Sequence, residues 1–201
     1  NNVAICMSGD LDPDETVRII EQYFGSWQAS DSLPQRTFPR EEPLQAPVSV
    51  DVVGQETPMV ALGWRLPAKA DSQYLVMEVA NSILANGKCG LFDQNLNSAQ
   101  QVMACETFVD GMTDQSAFWA IGCPKEGQTL EEVRDLMLAQ VRRLTSGQWD
   151  ESLLKAILNN MKREQLQAMQ SNEQRAERFV DAFVAGQPWA DAVGELQRLD
   201  T

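Results

Sequence analysis

The chain has 201 residues, 43% hydrophobic and 22% charged, enough for one large or two small domains with an ample core. Its net charge of −13 argues against a nucleic-acid phosphate partner and against docking on anionic lipid, because both need a basic face. It contains no histidine, which closes Ser-His, Cys-His and His-zinc chemistry, and no apolar run approaches the roughly 20 residues of a bilayer span.

Val3, Ala4, Ile5, Cys6 and Met7 form a short apolar run bounded by Ser8-Gly9-Asp10, the pattern of a central strand buried on both faces. Asp12 then reads as an N-cap, with Pro13 at the first helical position and Glu15 closing a capping box. Val17, Ile20 and Phe24 make the apolar stripe of that helix, and Gly25 ends it. Residues 26–46 are polar and carry Pro34, Pro39 and Pro43, so they read as a surface connection. Two strands follow: Val48 to Val53 alternates, and Met59 to Leu66 is richer in apolar residues and nearer the sheet centre.

Asp71 caps a helix carrying Tyr74, Leu75, Met77, Val79, Ala80, Ile83 and Leu84. Asn86-Gly87-Lys88-Cys89-Gly90 breaks it, and Leu91 to Leu96 reads as a short second helix. Gln101 to Val109 and Ser116 to Cys123 are strands joined as a hairpin through Asp110 to Asp114. Thr129 with Glu132 is a capping box for a helix that Gly147 stops. Asp150 starts another, running to about Gly186, and Trp189 to Leu199 is a last helical stretch. Strands grouped in hairpins with helices between them predict an α+β fold, a mostly antiparallel sheet with helices on one face.

Each apparent motif has a plainer account. A Walker loop needs a preceding strand and GK[ST] at a helix start, whereas Lys88 is followed by Cys89 after a helix, so Asn86 to Gly90 reads as a glycine turn. Asp10 and Asp12 begin like a calcium loop, but the sixth position is Glu15 rather than glycine, which leaves a helix cap. Glu41-Glu42 and Glu131-Glu132 are adjacent surface carboxylates, not an acid–base pair across a cleft. Lys162, Arg163, Arg175 and Arg178 alternate with glutamates on an exposed, ion-pair-laced face. Cys6, Cys89, Cys105 and Cys123 are widely spaced with no C-x-x-C pair, so they do not form a zinc site. A hairpin register centred on Met112 sets Cys105 opposite Trp119, which argues against a Cys105–Cys123 disulfide; all four read as thiols, and the redox compartment stays open. No residue is picked out as catalytic, cofactor-binding or metal-binding.

The opening NNVAICMSGDLDPDETVRIIEQYFGSW resembles the strand, GD, D-P and YFG signature of the pitrilysin/insulinase zinc peptidases, the inverzincins. VALGWRLPAKADSQYLVMEVANSILANGKCGLF is similar to the strand, long helix, glycine break and LF of the family's second domain, and WDESLLKAILNNMKRE to a later family helix. The resemblance implies a LuxS/mitochondrial-processing-peptidase-like fold. Family enzymes carry H-x-x-E-H and a distal Glu in a first module, where the zinc-bound water attacks the peptide carbonyl. None of those ligands is present, so the resemblance implies a second, non-catalytic module spanning residues 1–201, cut from a longer chain. Zinc is then expected in the parent's catalytic module and no cofactor here. Partner halves of the family place a substrate-binding Arg and, seven residues on, a Tyr after LF-x-x-L; those positions fall here on Asn97 and Ala104, which favours a scaffolding role.

The expected function is a wall of the parent's peptide chamber, packed on a neighbouring peptidase module or a partner subunit, with no nucleic-acid or membrane partner. An independent protein- or peptide-binding module, or a domain of an inactive homologue, is the alternative. The resemblance favours the periplasm or cell envelope, since many bacterial relatives are exported.

Overall fold

The computed structural model describes residues 3–33, 38–39 and 41–194. The chain divides into two compact units, Asn1–Glu56 and Thr57–Thr201.

In the first unit the regular element is helix α1, Pro13–Phe24. Asp12 caps it by accepting from the Glu15 amide at 2.9 Å, while the Glu15 carboxylate lies 3.6 Å from Arg18. Phe24 and Trp27 pack edge to face at 5.1 Å beyond its end. Residues 3–7, expected as a central strand, and residues 48–53, expected as an alternating one, carry no strand pairing. Val3, Ile5, Met7, Val48, Val50 and Val52 are all exposed. The physical reason is that alternation marks a face, whereas a strand exists only when a neighbour answers its N–H and C=O groups.

The second unit is built on a three-stranded antiparallel sheet of β1 (Val60–Leu66), β2 (Ala104–Asp110) and β3 (Ser116–Cys123), in the order β1-β3-β2. β3 lies at the centre, with Trp64 opposite Phe118 and Phe108 opposite Trp119. The hairpin register differs from the one centred on Met112: Cys105 faces Gly122, and Cys123 faces Ala104. A longer loop causes the shift, held where the Met112 amide donates to Ser116 Oγ at 3.1 Å. Cys105 and Cys123 therefore point to opposite faces, and all four cysteines are free.

Helices cover one side of this sheet. α2 (Ser72–Leu84) is capped by Asp71, and Leu91 and Phe92 lead into a π-helix, Asp93–Ser98, where an ordinary short helix was expected. A wide-turn bond from the Gln101 amide to the Leu96 carbonyl closes it at 2.8 Å. α3 (Leu130–Thr145) has the full Thr129–Glu132 capping box and ends in Arg142 and Arg143, which suit the dipole. It lies directly on β3, where a Cβ on Gly122 would come within 2.6 Å of Val133 and 2.8 Å of Met137.

The single helix expected from Asp150 to about Gly186 is two. α4 (Glu151–Ala168) ends, and Ser171 caps α5 (Asn172–Val184) by accepting from the Gln174 amide. α6 (Trp189–Gly194) follows, its ring stacked on Phe179 at 3.8 Å; the rest of the expected last helix lies outside the described residues.

The main core gathers Leu66, Leu84, Phe92, Leu96, Val102, Phe118, Ala120, Val133 and Met137, with Val60, Leu62 and Trp64 packed against it. Burying a side chain such as Phe92 contributes about 1.5–3 kcal/mol. A smaller cluster of Val79, Ile83 and Ile157 joins α4 to α2. The architecture is α+β, with helices packed on one face of an antiparallel sheet.

Candidate functional site: a bare sheet face and its outer edge

Strand residues that point toward the helices alternate with residues that point away. The inward set forms the core, whereas none of the outward residues Ala61, Gly63, Arg65, Ala104, Glu106, Phe108, Ala117, Trp119 and Ile121 is buried. Trp119 lies flat across the neighbouring strand, since a Cβ on Gly63 would meet its ring at 2.9 Å. Phe108 stands on its other side, 41% exposed. Glu106 and Asp110 flank Phe108 on the same face, and neither carboxylate has a cationic partner among the described residues. The face is thus a shallow aromatic and aliphatic surface with acid along one margin.

That margin is the outer edge of β2, which among the described residues has a strand on one side alone. Asn97 Nδ2 donates to the Cys105 carbonyl at 2.8 Å, and the Cys105 amide donates to Asn97 Oδ1 at 2.9 Å. One side-chain amide thereby does the work of one peptide group of a neighbouring strand. Burial, first, then the nearby Asp93 and Cys123, push the Cys105 thiol up to about 12, so it is no nucleophile at neutral pH.

The loop Asn86 to Gly90 does wrap an anion, and the anion is the protein's own. Asp93 Oδ2 accepts from the amides of Asn86 (2.9 Å), Lys88 (3.1 Å) and Gly90 (3.0 Å). The turn reading holds, with a phosphate-like cradle closed from inside. Sequence reasoning missed Asp93; an Asp three residues after a Gly-x-x-Gly turn was the available signal. It also missed Trp119, Gly63 and Phe108, whose alternation was visible but whose outward side was not.

Other residues singled out by sequence are not brought together. Asp12 is a helix cap, Glu132 belongs to the capping box of α3, and Glu131, Glu41 and Glu42 are exposed. A cleft of about 400 Å³ between α2, α4, α5 and α6 is lined by Glu78, Glu164, Arg178 and Asp181 among alanines. Its cations hold structure: Lys69 Nζ lies 3.2 Å from Asp181, and Arg178 donates to the Ala192 carbonyl at 2.8 Å. No group of three or more His, Cys, Asp or Glu that could hold a metal ion occurs among the described residues, and no described helix is long and apolar enough to cross a membrane.

Comparison with known proteins agrees with this architecture. The chain is 22% identical over 188 residues to a Helicobacter pylori protein named zinc protease PqqE, an alignment covering 91% of this chain and 42% of that relative. A crystal structure of a protease from Helicobacter pylori superposes with a TM-score of 0.86 at 21% identity, over 96% of this chain and 48% of the other. The periplasmic protease PqqL from Escherichia coli superposes with a TM-score of 0.64 at 14% identity, over 95% of this chain and 22% of that one. The chain thus spans less than half the length of these relatives. The family model described as the Peptidase M16 inactive domain matches residues 1–161, most of the sequence, and the chain belongs to that family.

Proposed function

We propose that residues 1–201 act as one non-catalytic domain of an M16-type zinc peptidase, forming a wall of the chamber in which a separate catalytic module holds peptide. The observation that carries this reading is the one-sidedness of the sheet: the helix-facing apolar side chains of the strands serve the core, while Trp119, Phe108 and Ile121 are left on the far side. An unfolded peptide offers apolar side chains, and a flat aromatic and aliphatic face of this kind receives them. The family match to an inactive domain and the coverage of under half of each relative support a neighbouring module that carries the zinc and the chemistry. No residue of this chain acts as catalyst in that scheme. The periplasmic relative supports a periplasmic or envelope location.

The test uses the longer parent protein. Phe108→Asp together with Ile121→Asp should lower kcat/KM for peptides tenfold or more while the parent's zinc content is unchanged. The 201-residue chain alone should show neither stoichiometric zinc nor peptidase activity. Undiminished activity in the double variant, or zinc-dependent turnover by the chain alone, refutes the reading.

A further inference from the structure

The cleft between α2, α4, α5 and α6 owes its volume of about 400 Å³ to small residues on facing helices. Met161, Gln165 and Ala168 share one face of α4, and Arg178, Ala182 and Ala185 share one face of α5. Alanine at these turns leaves space that a larger side chain would fill, and the volume suits a small molecule. Two side chains tie α6 in place: Gln165 Nε2 donates to the Val193 carbonyl at 3.1 Å, and Arg178 Nη2 to the Ala192 carbonyl at 2.8 Å.

Arg178 is the incomplete part of this lining. A guanidinium has five N–H donors, yet the bond to Ala192 is the one it makes among the described residues, and its Nε is buried with no hydrogen-bond partner. It forms no ion pair among the described residues, although a cation withdrawn from water ordinarily gathers a carboxylate. Asp181, one turn further along α5, gives Oδ2 to Lys69 at 3.2 Å and keeps Oδ1 as an acceptor. Glu164 lines the cleft from α4 with an exposed carboxylate that has no partner among the described residues. With Lys69 and Glu78, the charged lining is three carboxylates and two cations, a net of −1.

We propose that this cleft binds a free basic amino acid, its α-carboxylate on Arg178, its α-ammonium on Asp181 and its side-chain cation on Glu164. The inference goes beyond the reading of the bare face as a peptide-facing wall and does not rest on it. Arg178 and Asp181 stand three residues apart on one helix face, about 5–6 Å between Cβ atoms, a spacing that suits two groups carried on one α-carbon. A carboxylate beside the guanidinium supplies the acceptors that it lacks. The ligand's methylene stem lies along Met161 and Ala168, with its charged end left in water beside Glu164. A ligand charge of +1 offsets the −1 of the lining, which selects a basic amino acid over a neutral or acidic one and makes binding weaken with salt.

Free L-lysine, titrated into the full 201-residue chain and followed by residue-resolved NMR, should shift the amides of Ala168, Ala182 and Ala192 with a Kd of about 1 mM. L-Norleucine, which lacks the side-chain cation, should bind about fivefold more weakly, and 1,5-diaminopentane, which lacks the carboxylate, about tenfold. Glu164→Gln should weaken lysine binding about fivefold and leave norleucine binding unchanged, a difference that a merely structural role of Glu164 does not produce. Arg178→Gln should weaken lysine binding about tenfold and leave diaminopentane binding unchanged. Where Arg178→Gln releases α6, the two measurements on Glu164→Gln decide by themselves. Equal binding of lysine and norleucine overturns the site, as does an unaltered lysine affinity in Glu164→Gln. No shift of the cleft amides at about 10 mM lysine also overturns it.

Discussion

Asn97 and Cys105 are joined by two hydrogen bonds, 2.8 and 2.9 Å, between one side-chain amide and the two backbone polar groups of one strand residue. The relationship matters because this is the position at which the family resemblance places a substrate-binding arginine. A short neutral amide there reaches the sheet rather than a ligand. Asn97→Ala leaves an amide and a carbonyl of the strand unanswered and should destabilise the chain by about 1–3 kcal/mol. Denaturant unfolding measures the loss, and the Cys105 amide should exchange faster in the variant than in the parent chain.

The Asp93 carboxylate makes a second prediction. Three amides of the preceding loop converge on a single oxygen, so Asp93→Ala strands all three and should cost about 3 kcal/mol or more, while Asp93→Asn, which keeps an acceptor, costs less. Removal of the carboxylate also opens the cradle. Added inorganic phosphate should then raise the Tm of Asp93→Ala by more than it raises that of the unaltered chain. Equal shifts in the two proteins would show that the loop collapses when its internal anion is lost.

What could be read from the sequence follows from how local each signal is. Asp12, Asp71, Thr129 and Asp150 each accept from an amide within three residues, as their spacing predicts, but the capping box expected at Asp12 lacks its second half, since the Glu15 carboxylate lies beside Arg18. β3 alternates cleanly and spans Ser116–Cys123 as expected. The register of β2 against it was misplaced, since it depends on a loop whose length is set by Ser116 and Met112 rather than by the turn residues alone. Ser171 lies inside the stretch expected as one helix, and its bond to the Gln174 amide marks a new start. Asp93, Asn95 and Asn97 leave no periodic trace at all. Their partners are backbone atoms and Gln140, brought within reach by a π-helix that no hydrophobic pattern encodes.

Gly63 and Trp119 give a third prediction, because the indole occupies the space above a residue with no side chain. A Cβ at 2.9 Å from the ring is too close for the ring to stay, so Gly63→Ala should lift Trp119 off the sheet. The expected result is a red-shifted tryptophan emission attributable to Trp119, with a stability loss of about 1–3 kcal/mol. Trp119→Leu in the Gly63→Ala background should recover part of that loss, which separates crowding at the ring from a backbone effect of alanine.

The last prediction comes from Cys105, whose thiol is held at about 12 by burial, with Asp93 and Cys123 adding to the effect. In the unfolded chain a thiol ionises near 8.5. Between those values the unfolded state has released the proton and the folded state has kept it, so unfolding is favoured as pH rises. The slope from this group is about −1.4 kcal/mol of stability per pH unit, beginning near pH 8.5 and ending near pH 12. Below pH 8 both states hold the proton, and Cys105 contributes no pH dependence. Comparison with Cys105→Ala isolates the effect, because the variant keeps every other titrating group. Its stability should fall less steeply from pH 9 to 10.5 than that of the parent chain. At pH 8 the exposed Cys89 should react with iodoacetamide in the folded chain, and Cys105 only as the chain unfolds. Parallel stability curves for the two proteins above pH 9 would show that the thiol ionises as readily in the fold as outside it.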